Sequence, residues 1–171
     1  MDLGALDEVP FQPYGSPYRR WIPPETRDPV LLHYPTRQSV GAFGAGCRRD
    51  GRFIQRREEY RFKAVSCWAF LQDWWNRSQK QVVVITDHAR YHQARLPQNG
   101  RPGPPDPFRL ACLPPYRPAL NPIERVWKLT RRLCLHHRYF STLEEVIKTV
   151  ENKFAEWEYG NSTLRTLCAI T

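Results

Sequence analysis

The spacing of apolar positions changes several times along the chain. Residues 3–6 (LGAL) form a short apolar run that stops at Asp7 and Glu8, after which Pro10, Pro13, Gly15 and Pro17 break any regular period. This predicts a strand ending in two acids. Residues 18–22 alternate roughly and predict a second strand, followed by an extended connection rich in proline (Pro23, Pro24, Pro29, Pro35). Residues 36–46 (TRQSVGAFGAG) alternate apolar and small side chains, and 48–51 turn the chain into 52–57, which predicts a hairpin with a basic rim.

From residue 62 the period lengthens. Val65, Trp68, Leu71 and Trp75 recur at helical spacing, so 62–78 reads as an amphipathic helix whose aromatic stripe serves the core. QVVVI at 81–85 is an unbroken β-branched run of the kind found in strands buried on both faces, and it ends at Thr86 and Asp87. A short helical piece is expected over 89–96, and QNGRPGPPDP at 98–107 reads as loop. Residues 108–113 are the next strand. The last 51 residues predict two helices, one over about 121–138 and one over 142–157, the second capped by Ser141 with Glu144 closing a capping box. Strands alternating with helices predict an α/β domain with at least one parallel strand pair.

Between the last strand and the first of these helices lies LPPYRPALNPIERVW, residues 113–127. Asn121 suits an N-cap, Pro122 the first helical position, and Glu124 the first turn. Taken alone, Glu124 reads as the partner of a capping box, reaching back to the Asn121 amide. Its meaning changes beside Asp7 and Asp87. In open α/β sheets, sites form at the carboxyl ends of strands, where both aspartates are expected. If their strands are parallel neighbours the two carboxylates face each other, and Glu124 enters from the side. Three carboxylates with no His/Cys cluster make a hard-oxygen site, suited to Mg²⁺ or Mn²⁺ rather than Zn²⁺. Two such ions, roughly 3.5 to 4 Å apart, would suit an in-line phosphoryl displacement.

Charge strengthens that picture. Lys plus Arg number 26 against 17 acidic residues, a net charge of +9, and only five of the 26 are lysines. Arginine in excess, with a pI near 9.6, fits a partner that is a polyanion. Arg117, Arg125, Arg131 and Arg132 are the candidates for phosphate contact. The five cysteines (Cys47, Cys67, Cys112, Cys134, Cys168) show no CxxC spacing and an odd count, which argues against a disulfide framework or a zinc site and for a reducing, intracellular compartment. The adjacent His136 and His137 point about 100° apart on a helix, so they read as a helix end and not as a metal pair.

The residues also carry a family resemblance. VVVITDHARYHQA (82–94) followed by LPPYRPALNPIERVW resembles the second and third catalytic blocks of the mariner-type DDE transposases, in particular their bacterial insertion-sequence relatives. LDEVPFQPYGSPYRRWIP (6–23) resembles the first block, and the 36 residues between Asp87 and Glu124 match the family's spacing. The resemblance implies an RNase H-like fold, a mixed central sheet of about five strands with helices on both faces, filling 1–171 as a single catalytic domain. It implies a Mg²⁺- or Mn²⁺-dependent endonuclease and strand transferase using two ions, with Asp7, Asp87 and Glu124 as the metal-binding catalytic triad. Glu8, His88 and His92 are then candidates for assisting metal or phosphate binding, His88 standing where relatives usually have Asn. Expected partners are the DNA of element ends and target, with either a second copy of the chain or a separate DNA-binding subunit, in the cytoplasm of a bacterium at its nucleoid. The family's N-terminal helix-turn-helix modules are expected to be absent, since the chain begins six residues before Asp7. That opens the alternative of a remnant that binds DNA or a partner transposase without catalysis.

Overall fold

The computed structural model describes residues 2–13, 38–59, 62–78, 81–87, 108–115, 117, 120–136 and 138–169. Along them run β1 (Asp2–Phe11), β2 (Val40–Cys47), β3 (Phe53–Glu58), α1 (Ala64–Arg77), β4 (Val82–Thr86) and β5 (Phe108–Cys112). There follow α2 (Ile123–Thr130), continued by a π-helical turn (Arg131–Leu135), then α3 (Leu143–Trp157) and α4 (Ser162–Leu167). The strands form one mixed sheet in the order β3-β2-β1-β4-β5. β1, β2 and β3 pair antiparallel, while β4 pairs parallel with both β1 and β5. The second strand expected over 18–22, the short helix over 89–96 and the loop over 98–107 lie outside the described residues.

The sheet carries two cores, one per face. Leu6, Phe43, Ala45, Val82 and Val84 pack under α1 through Cys67, Phe70, Leu71 and Trp74. Ala5, Val9, Phe11, Val40, Ala42 and Phe53 pack under α2, α3 and α4. Helices therefore cover both faces, as expected. None of the helices among the described residues is long and apolar enough to cross a membrane.

Several boundaries differ from expectation. β1 does not stop at Asp7 but runs to Phe11. Its pairing with β4 ends at Ala5↔Ile85, and among the described residues only β2 accompanies it beyond, so Pro10 falls where a missing amide is tolerated. The buried stripe of α1 is Cys67, Phe70, Leu71 and Trp74, and Val65 stands 63% exposed. The sheet sets this rotation: Gly4 leaves a gap that Trp74 fills, and a Cβ on Gly4 would lie 2.3 Å from the indole. At α3 the cap falls one residue late. Thr142 Oγ1 accepts from the Glu145 amide at 3.3 Å, and Glu145, not Glu144, reaches back to the Ser141 amide and hydroxyl at 3.0 and 2.9 Å. These bonds favour the ionised form and lower the Glu145 pKa.

α4 was not expected from the sequence. Asn161 caps it by accepting from the Leu164 amide at 3.1 Å. The β2–β3 turn seats it: Gly51 adopts φ 70°, and a Cβ there would lie 2.0 Å from the Asn161 carbonyl oxygen. Its far end is held by Arg125, whose Nη1 donates to the carbonyls of Leu167 (3.1 Å) and Ala169 (3.0 Å). Arg125, a phosphate-contact candidate by sequence, is half-buried, with its Nη1 engaged in this capping role. Truncating it to Met should leave these carbonyls short of a charged donor and lower stability by about 1.5–3 kcal/mol. Urea unfolding checks this, and an unchanged midpoint would refute the capping role.

Candidate active site

The parallel register of β1 and β4 places Asp2 opposite Val82 and Ala5 opposite Ile85. Asp7 and Asp87 each lie two residues beyond the last paired positions, Ala5 and Ile85, where the β1–β4 ladder has ended. Asp7 belongs to the odd-numbered face of β1, with Ala5, Val9 and Phe11, over which α2 lies. Glu8 alternates to the other face of β1. The Leu113 amide donates to the Thr86 carbonyl at 2.8 Å, so the chain leaving β5 is held at the same end of the sheet before α2 begins.

Two side chains of the 121–127 stretch hydrogen-bond to β1. Asn121 is buried and its Nδ2 donates to the Leu6 carbonyl at 3.0 Å, tying the start of α2 to the backbone just before Asp7. Its Oδ1 accepts from the Ile123 amide at 3.4 Å, which keeps the capping function as well. One turn later Trp127 Nε1 donates to Asp7 Oδ2 at 3.2 Å. Glu124, three residues before Trp127, lies on the same side of the helix. The capping box that the sequence suggested is not formed. No hydrogen bond joins the Glu124 carboxylate to the Asn121 amide among the described residues, and the Glu124 amide instead donates to the Asn121 carbonyl at 3.1 Å.

Trp127 is placed by the sheet beneath it. Gly44 lies directly across from Asp7 in β2, and a Cβ there would come within 2.1 Å of the indole. The ring is packed edge-on against Phe53 (5.6 Å between centroids) and Phe11 (6.4 Å), with Phe154 at 6.2 Å. Neither Gly44 nor Trp127 was singled out from sequence as a site residue. The small-residue alternation GAFGAG was the available signal, but its partner ring lies 83 residues away.

Burial pushes the Asp7 carboxyl up to about 7 from an ordinary 3.8. The Glu8 backbone hydrogen bond opposes that rise, and the charges of Glu8, Glu124 and Asp87 add to it. Asp7 is thus the point on which the three acids bear. They are grouped without being closed: among the described residues no three His, Cys, Asp or Glu side chains lie near enough to hold one metal ion between them. As donors, the carboxylates nevertheless fit a hard divalent cation, which would offset the mutual repulsion recorded at Asp7. Among the other candidates, Arg117 and Arg132 are exposed and Arg131 is half-buried. His88 and His92 lie outside the described residues, as does His137, whereas His136 ends the π-helical turn.

The profile of the DDE superfamily endonucleases matches residues 2–147. The chain belongs to this family. A Sinorhizobium fredii NGR234 protein, y4pE/y4sA, is 32% identical over 69 residues, covering 39% of this chain and 45% of that protein. Among solved structures, the mariner Mos1 paired-end complex with Mg superposes at a TM-score of 0.65 with 14% identity, over 97% of this chain and 52% of that one. The catalytic domain of Mos1 mariner transposase superposes at 0.56 with 14% identity, over 96% and 78%. The fold is accordingly the RNase H-like fold of that catalytic domain, and the chain spans about half the length of the first two of these relatives.

Because the folded state raises the Asp7 pKa, ionising Asp7 costs stability as pH rises from 3.8 through about 7, an amount on the order of 4 kcal/mol above neutrality. In EDTA, Asp7→Asn should match the wild type near pH 3.5 and unfold at a higher temperature near pH 8. Thermal melts across that range test it. Parallel curves for the two proteins would show that Asp7 carries no such strain.

Proposed function

We propose that the chain is the catalytic domain of a DDE transposase, a divalent-metal-dependent endonuclease and strand transferase acting on DNA. The observation that carries the proposal is Asp7, which feels the charges of Glu124 and Asp87 and takes a hydrogen bond from Trp127, on the same helix as Glu124. Asp7, Asp87 and Glu124 would hold Mg²⁺ or Mn²⁺, in two ions. Such ions, when bound, sharpen a water nucleophile and stabilise the departing oxygen.

The chain's own residues do the positioning. Trp127 directs Asp7 Oδ2 by its N–H. Asn121 fixes the height of Glu124 against β1. In the reaction, water attacks phosphorus and the bond to the 3′ oxygen breaks, leaving a 5′-phosphate and a 3′-hydroxyl; that hydroxyl then attacks a phosphodiester of the target strand, joining to its phosphorus as the target's own 3′ oxygen leaves as a hydroxyl. Arg117, Arg131 and Arg132 remain candidates for DNA contact, and assembly with a second copy or a separate DNA-binding subunit belongs to the same proposal.

Incubation with supercoiled plasmid and Mg²⁺ or Mn²⁺ should give nicked product, reduced at least 100-fold in Asp87→Asn and Glu124→Gln. Equal nicking by all three proteins would sink the proposal. Salt-sensitive DNA binding with no metal dependence and no nicking would favour a remnant that binds DNA without chemistry.

A further inference from the structure

The cations of this chain fall into two groups. One group is ion-paired: Arg49 and Arg52 with Asp50, Arg57 with Glu59 and Glu144, Arg77 with Asp73 and Glu158, and Lys153 with Glu156. The cations along α2 and its π-helical turn belong to the other group. Between Glu124 and Glu144 there is no acidic residue. Arg125 is consumed by the α4 carbonyls, but Lys128, Arg131, Arg132 and Arg138 form no ion pair among the described residues.

Their placement is directional. Glu124, Lys128 and Arg132 stand at i, i+4 and i+8, so they follow one another along a single ridge of the helix. At 1.5 Å per residue, Lys128 lies about 6 Å and Arg132 about 12 Å beyond the carboxylate along the axis. Lys128 and Arg132 are exposed. The helix then widens, the His136 amide donating to the Arg131 carbonyl at 3.0 Å in an i→i+5 bond. Past this turn Arg138 is exposed and Tyr139 is 64% exposed, with Leu133 44% exposed within it. An uncompensated cation row ending in an open aromatic has the composition of a surface for a nucleic-acid strand.

We propose that this ridge is a track for one DNA strand, leading from the phosphodiester at the three acids along Lys128 and Arg132 to Arg138 and Tyr139. The cations take successive phosphates, and Tyr139 contacts a sugar or base beyond them. The inference rests on the DNA-cutting reading above, because that reading supplies the polyanion and fixes the start of the track at Glu124.

The test is equilibrium binding of the full chain to a labelled DNA duplex in EDTA, by fluorescence anisotropy over a range of salt concentrations, so that no cleavage is needed. Changing Lys128, Arg132 and Arg138 together to Gln should flatten the plot of log affinity against log salt by about 2 to 3. Changing the paired cations Arg49, Arg77 and Lys153 to Gln removes the same charge and should leave the slope nearly unaltered. Tyr139→Ser should weaken binding several-fold with no change of slope. Equal flattening in both triple variants, with folding confirmed by circular dichroism, overturns the track and leaves the endonuclease reading intact. A wild-type chain that binds no DNA overturns both.

Discussion

The hydrogen bond from Trp127 to Asp7 is the contact on which the arrangement of this molecule turns. One indole spans from the aromatic cluster under α3 to a carboxylate in the middle of the sheet. It does so only because Gly44, across from Asp7, has no side chain to obstruct it. The orientation of α2, the height of Glu124 and the direction of one Asp7 oxygen all follow from that single wedge. Asn121 adds a second tether to the same strand, so the helix is fixed at two points one and a half turns apart.

Electrostatics explain why such firm placement is required. Asp7 sits among apolar neighbours and within reach of three other acids, and its carboxyl holds its proton close to neutrality. A site of this kind is unstable as free anions, and its donors match a hard cation. The structural effort visible around it, with a tryptophan donor, an asparagine tether and a glycine gap, goes into keeping like charges together. The surface around the site is built the opposite way. Along α2, Lys128, Arg131 and Arg132 form no ion pair among the described residues.

Much of this was legible in the sequence. The hairpin at β2–β3, the buried β4, the parallel pairing implied by alternating elements and the three acids all followed from local periodicity and spacing. Boundaries were harder. Pro10 suggested an early end to β1, but the strand's tolerance for proline depends on whether a neighbour lies alongside. Val65 fitted the helical stripe as well as Trp74 did, and only the gap at Gly4 selects between two faces of α1 about 100° apart. Arg125 read as one more surface cation, since the carbonyls it caps belong to a helix 40 residues later that the sequence did not announce.

What the sequence determined by itself was most of the set of elements and the three candidate acids, Asp7, Asp87 and Glu124, in a basic chain. Those depend on residue type and on contacts within a few positions, which a sequence states directly. The tertiary structure decided which side chains serve that chemistry. Asn121 became a tether to Leu6, Glu124 was left free of a capping bond, and Trp127 and Gly44 became the pair that directs Asp7. Each of these is a match of shape or hydrogen bonding between residues some 80 to 120 positions apart, and such matches exist only once the sheet has set its register.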